Sequence, residues 1–120
     1  MSDVGDCIFC RIASGEIPAE FVYEDDRVVA FDDLSPQAPV HTLVIPRAHH
    51  ANLGDGTDEA LLGALFAAVP RVARVKGIDE SGYRVIVNTG RDASQTVTHL
   101  HVHVIGGRSM AEGMISFSDD

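Results

Sequence analysis

The chain has 120 residues, 45% hydrophobic and 22% charged, enough to bury a core within one domain and too apolar for a disordered segment. Nine Lys and Arg against 18 Asp and Glu leave a formal net charge of −9, which argues against a nucleic-acid backbone or an anionic membrane as partner while leaving room for a local site for a small phosphate ester. No apolar run reaches the ~18 residues of a membrane span, and the acidic start at residues 1–6 reads as no signal peptide, so a cytoplasmic protein is expected.

In chain order, residues 7–13 form a short helix stopped by Ser14 and Gly15. Its i, i+3 spacing puts the thiols of Cys7 and Cys10 on one face. Residues 21–24, a turn at Asp25 and Asp26, and residues 28–31 read as a β-hairpin. Residues 35–39 are a loop, and 42–45 a buried strand ended by Pro46. Thr57 or Asp58 can cap a helix with Asp58 and Glu59 in its first turn. Leu61, Leu62, Leu65, Phe66, Val69, Val72, Ala73 and Lys76 give that helix a 3.6-residue period. Pro70 is expected to kink it, and Gly77 to end it. Residues 83–88 are a strand, 89–95 a polar loop and 99–105 the last strand; 110–120 is a Gly-, Ser- and Asp-rich tail. The expected fold is a single α+β domain over residues 1–120, with a five-stranded antiparallel sheet, one long helix and one short helix.

Chemistry concentrates in the last strand. His99, His101 and His103 alternate with Leu100, Val102 and Val104, so the three imidazoles share one face and the aliphatic residues the other. Imidazole can be a nucleophile, a general acid or a metal ligand near neutral pH. Three readings compete: a metal site, nucleophilic catalysis with one ring attacking while its neighbours orient it, or exposed strand residues with no role. The only two cysteines, Cys7 and Cys10, form a Cys-x-x-Cys pair, a metal or redox motif in a reducing compartment. No strand precedes the pair, which argues against thioredoxin-like chemistry.

The run from His99 to Ile105 resembles the signature of the histidine-triad (HIT) family of nucleotide hydrolases and transferases. Cys7-Ile8-Phe9-Cys10-Arg11-Ile12, Gly15-Glu16-Ile17-Pro18-Ala19, residues 31–39, His41-Thr42-Leu43-Val44-Ile45-Pro46 and Gln95-Thr96-Val97 resemble the same family in the same order, over about residues 7–110. The combination is far more specific than a lone His-x-His-x-His. Gly106-Gly107-Arg108 is similar to the Hint branch, the nucleoside phosphoramidases; a third histidine, His103, speaks against the nucleotidyl-transferase branch.

The resemblance implies a HIT-like fold and cleavage of purine nucleoside 5′-phosphoramidates through a nucleotidyl-histidine. His101 would be the nucleophile, His103 a donor to a phosphate oxygen, His99 a residue fixing the geometry, and Thr96 a hydroxyl near the phosphate or leaving group. Asp33 would accept from the ribose hydroxyls, its two oxygens matching a vicinal diol. Phe31 and Leu34 would contact the base, and Asn88 and Gln95 would stand on the phosphate side. Cys7, Cys10, His49 and His99 resemble the family's structural zinc set, with His50 the competitor of His49. His41 is expected to satisfy a backbone group only. A homodimer through the long helix and a sheet edge is also implied.

Three departures from the Hint pattern bear on specificity. Thr96 stands where serine is usual, Ser94 where glycine is usual, and Ala111-Glu112-Gly113-Met114 where Trp-Pro-Pro-Gly usually follows. Alternatives are a dinucleoside-polyphosphate or adenylyl-sulfate hydrolase, a zinc-stabilised nucleotide-binding module with little turnover, and a catalytic zinc enzyme.

Overall fold

Period-2 alternation along the strands builds two opposite apolar faces, and one helix covers each. In a computed structural model describing residues 6–118, the order is α1 (Ile8–Ala13), β1 (Tyr23–Glu24), β2 (Val28–Asp32), β3 (Val40–Pro46), α2 (Glu59–Val75), β4 (Tyr83–Ile86) and β5 (Val102–Gly106). Most of the acidic N-terminal stretch, residues 1–5, and tail residues 119–120 lie outside the described residues. The strands form one antiparallel sheet in the order β1-β2-β3-β5-β4. The expected α+β architecture is therefore present.

Val28, Ala30, Val44, Val102, Val104 and Leu100 pack against Leu65, Ala68, Val69, Val72 and Ala73 of α2. Val29, Phe31, Leu43 and Ile45 face the other way and pack against Phe9, Ile12 and Ala13 of α1. Each fully buried aliphatic or aromatic side chain stabilises the fold by about 1.5–3 kcal/mol, so both helices are held by side-chain burial more than by propensity. Of the two candidate caps, Asp58 is the one used: its Oδ1 accepts from the Leu61 amide at 2.8 Å, while the Thr57 hydroxyl bonds the Leu53 carbonyl. α2 runs on through Pro70, which faces solvent.

β1 covers only Tyr23–Glu24 of the expected residues 21–24, and three further boundaries bear on the site. β3 is longer, with Pro46 paired to Val28, and β4 ends at Ile86. The third difference concerns the histidine strand, which enters the sheet ladder only at Val102, opposite Val44. Continuing that register would set Leu100 against Pro46, which has no N–H to donate. The Leu100 amide goes instead to the carbonyl of His50, 2.6 Å away.

Candidate functional site

The α1 face of the sheet carries two adjoining clusters. The first joins Cys7, the N-cap of α1, and Cys10 one turn later to His49 and His99. Cys7 Sγ lies 3.2 Å from His99 Nδ1, and Cys10 Sγ lies 3.2 Å from His49 Nδ1 and 3.5 Å from His99 Nδ1. His99 is fully buried and donates Nε2–H to the Pro46 carbonyl at 2.9 Å. Burial holds its pKa down to about 4, so at neutral pH the ring is uncharged and its Nδ1 lone pair faces the thiols. Burial, then the neighbouring Cys7 thiol, pushes Cys10 up to about 11, so a metal ion would have to displace protons on binding.

The four ligand atoms all lie within 4.8 Å of one another. Bonds of roughly 2.3 Å to sulfur and 2.0 Å to nitrogen in a tetrahedron put neighbouring donors about 3.5 Å apart. The residues present therefore fit a tetrahedral two-thiolate, two-imidazole metal such as zinc. His50 is not in the set: its Nδ1 lies 2.7 Å from the Asp55 carbonyl.

The second cluster is a polarised chain of imidazoles. The Gln37 amide donates to His41 Nδ1 at 3.0 Å, so the proton of a neutral His41 sits on Nε2. That Nε2 lies 2.8 Å from His103 Nδ1 and 3.5 Å from Asp33 Oδ2. His103 Nδ1 therefore accepts, and its own proton is on Nε2. Burial first, then the His101 and His41 charges, holds His103 down to about 4, keeping it neutral. Among the described residues, His103 Nε2 is the one buried side-chain polar atom without a hydrogen-bond partner. Beside it, with ring centroids 4.9 Å apart, His101 donates Nδ1–H to the carbonyl of His99 at 2.7 Å. The lone pair of His101 is thus on Nε2. A nucleophilic nitrogen and an unsatisfied N–H stand side by side.

Both rings open on a cleft of about 500 Å³. Its apolar wall comes from Ile8, Phe9 and Ile12 of α1 with Ile17, Phe31 and Leu43, and Asp33, Leu34, Thr96 and Val97 border it. Of the residues expected at the site, Phe31, Asp33, Leu34, Thr96, His101 and His103 line this cleft. His99 turns its ring to the thiols. Asn88 follows β4, outside the lining residues. Gln95 lies outside them too: its amide nitrogen donates to the Ala51 and Val97 carbonyls at 2.7 and 2.9 Å, and its oxygen accepts from Gly90 at 2.9 Å. The neighbouring acids differ in role. Asp32, exposed at the end of β2, is held below the usual carboxylate range by Lys76 and Thr42, which outweigh its partial desolvation, whereas Asp33 accepts from the Ser35 amide.

His41 does satisfy a backbone group, as expected, but it also sets the tautomer of His103. That second part has no signal in residue type. It follows from a register that pairs Leu43 with His103, so that His41 is the diagonal neighbour two residues along.

Residues 14–110 match the HIT domain family. The chain is 54% identical over 108 residues to an uncharacterized HIT-like protein of Synechococcus elongatus, covering 88% of this chain and 94% of that protein. It is 44% identical over 105 residues to the purine nucleoside phosphoramidase of Escherichia coli, covering 86% and 88%. Its fold is similar to the solved structure of a HIT family hydrolase from Clostridium thermocellum, with a TM-score of 0.88 and 42% identity over 94% of this chain and 100% of that one.

Proposed function

This chain belongs to the HIT domain family, and from that premise we propose that it hydrolyses purine nucleoside 5′-phosphoramidates. The observation that carries the reading is the proton ownership in the imidazole cluster: His101 Nε2 free to attack, His103 Nε2–H free to donate. An acyl or phosphoryl transfer needs just these two, a nucleophile and a donor for the charge on oxygen. The resemblance to the phosphoramidase of Escherichia coli supports the choice of leaving group.

In this mechanism His101 Nε2 attacks the α-phosphorus and the P–N bond breaks, the amine departing with a proton taken from solvent, which the later hydrolysis returns. Water then cleaves the nucleotidyl-histidine, releasing the nucleoside monophosphate and restoring the imidazole. His103 Nε2–H donates to a phosphate oxygen throughout, its tautomer held by His41 and the Gln37 amide. The Thr96 hydroxyl serves the phosphate or the leaving group. Asp33 accepts from the ribose with the lone pairs left beside its Ser35 contact, and Phe31 and Leu34 flank the base. Asn88 stands on the phosphate side, and Gln95 acts through the 90–97 loop it ties together. Zinc held by Cys7, Cys10, His49 and His99 would have no open position, so its contribution is structural. The reading also includes a homodimer and a cytoplasmic location.

The test is hydrolysis of an adenosine 5′-phosphoramidate by wild type and His101→Ala. Turnover should fall by about 10³-fold or more in the variant while AMP binds within a few-fold of wild type. Undiminished turnover in His101→Ala would falsify the mechanism. A wild type faster on dinucleoside polyphosphates or adenylyl sulfate would move the substrate class. AMP binding with no product from any of the three would reduce the protein to a binding module.

A further inference from the structure

His101 stands outside the sheet ladder, whose last pairing joins Val44 to Val102. One bond aims its ring, from Nδ1–H to the His99 carbonyl at 2.7 Å. That carbonyl belongs to a residue held from two directions. Along the backbone, the Leu100 amide is tied to the His50 carbonyl at 2.6 Å. Through the side chain, the buried His99 ring is bonded to Pro46 at Nε2 and faces Cys7 and Cys10 at Nδ1. The fourth donor, His49, is the sequence neighbour of His50. A metal ion here would tie down both the residue that aims the nucleophile and the segment that receives the Leu100 amide.

We propose that His99 is a positioning residue that makes the aim of His101 depend on metal occupancy of Cys7, Cys10, His49 and His99. The metal then acts on turnover as well as on the fold. The cleft does not need it to the same degree. Phe9, Ile12 and Ala13 pack on Phe31, Leu43 and Ile45, and Arg47 Nη1 donates to the Ala13 carbonyl at 3.4 Å, so α1 has anchors of its own. Without the metal, the His99 ring keeps its Pro46 bond and has only weak thiol contacts, at 3.2 and 3.5 Å, in place of a metal bond at Nδ1, so its carbonyl is held less firmly for His101. Partners of this outer kind typically affect activity or metal affinity by about 10–100-fold.

The rate arm of the test rests on the hydrolase reading; the spectroscopic arm does not. The full chain would be compared zinc-loaded, chelated and zinc-restored, by the imidazole N–H resonance of His101 (assigned with His101→Ala), by single-turnover rate on adenosine 5′-phosphoramidate and by AMP affinity. On zinc removal the His101 Nδ1–H proton should exchange about tenfold faster or more and the rate should fall about 10–100-fold, with AMP affinity within about threefold. Restored zinc should return both. Where chelated wild type unfolds, zinc-loaded His49→Ala replaces it, with only Cys7, Cys10 and His99 left to hold the metal. Against zinc-loaded wild type, its His101 Nδ1–H should exchange faster and its rate fall while circular dichroism and AMP affinity stay unchanged. A zinc-independent signal and rate in folded protein would overturn the proposal, as would AMP affinity falling as steeply as the rate. A metal-dependent signal without any turnover would sustain the coupling and refute the hydrolase reading.

Discussion

His103 shows how one half-buried residue imports pH dependence into the fold. Its ordinary imidazole pKa of 6.5 is held down to about 4, first by burial and then by the neighbouring His101 and His41. Between these values the unfolded chain takes up a proton that the folded chain refuses. Stability should therefore be fully present above pH ~6.5 and decline as pH falls toward 4, by no more than roughly 3 kcal/mol from this residue. Urea midpoints at pH 7, 6, 5 and 4 measure it, and His103→Asn should flatten the slope. An unchanged slope in that variant would assign the effect to other groups.

Ser94 is a second residue-scale case. Among the described residues it is the only non-glycine with positive φ, at φ 55° and ψ 44°. A left-handed conformation costs a side-chain-bearing residue about 1–2 kcal/mol, against roughly 0.5–1 kcal/mol of extra chain entropy that glycine loses on folding. Ser94→Gly should therefore stabilise the protein by about 0.5–1 kcal/mol, read as a higher urea midpoint. A lower midpoint would mean that the Ser94 side chain makes a contact worth more than the strain. The conformation explains why glycine is usual at this position.

At the scale of elements, the helices are specified by their first turns. Asp58 caps α2 with its carboxylate on the Leu61 amide, and Glu59 adds negative charge at the positive end of the dipole. Asp58→Ala should cost about 1 kcal/mol, and Thr57→Ala clearly less, by thermal unfolding. The reverse order would place the cap at Thr57. α1 is six residues long and could not stand alone; Cys7 supplies its N-cap and is also one of the four residues close enough to hold a metal ion. The sheet beneath it holds this short helix in place. The turn after β5 is equally constrained: Gly107 has φ 96°, and a Cβ there would lie 2.9 Å from Pro39 Cβ.

Taken whole, the molecule covers its sheet on both faces but leaves an edge and a helix flank open. β4 is one of the two terminal strands, with Tyr83 and Val85 exposed, and Phe66 of α2 is 40% exposed. Open strand edges and exposed aromatic residues are what a second copy would cover. The proposed homodimer predicts that Phe66→Glu shifts the protein to monomer at micromolar concentration in sedimentation velocity. A monomeric wild type would remove the dimer from the reading. No helix among the described residues is long and apolar enough to cross a membrane.

Much of this protein is written locally in its chain. The alternation of His99, His101 and His103 with Leu100, Val102 and Val104 survives in three dimensions, because side-chain period is a property of an extended backbone and needs no partner. The thiol pair, the long helix and its acidic cap are legible for the same reason: each depends on residues within one or two turns. Other features wait on contacts between distant segments. His49 rather than His50 meets Cys10 across 39 positions of sequence, and Cys7 meets His99 across 92. The role of His41 appears only when the β3–β5 register sets it beside His103. Strand 99–105 loses its first half to a proline in the neighbouring strand. The ownership of each imidazole proton, on which the chemistry turns, belongs to the Gln37 amide, the Pro46 carbonyl and the His99 carbonyl. Backbone groups are the same at every residue, so only folding could choose which of them each ring would meet.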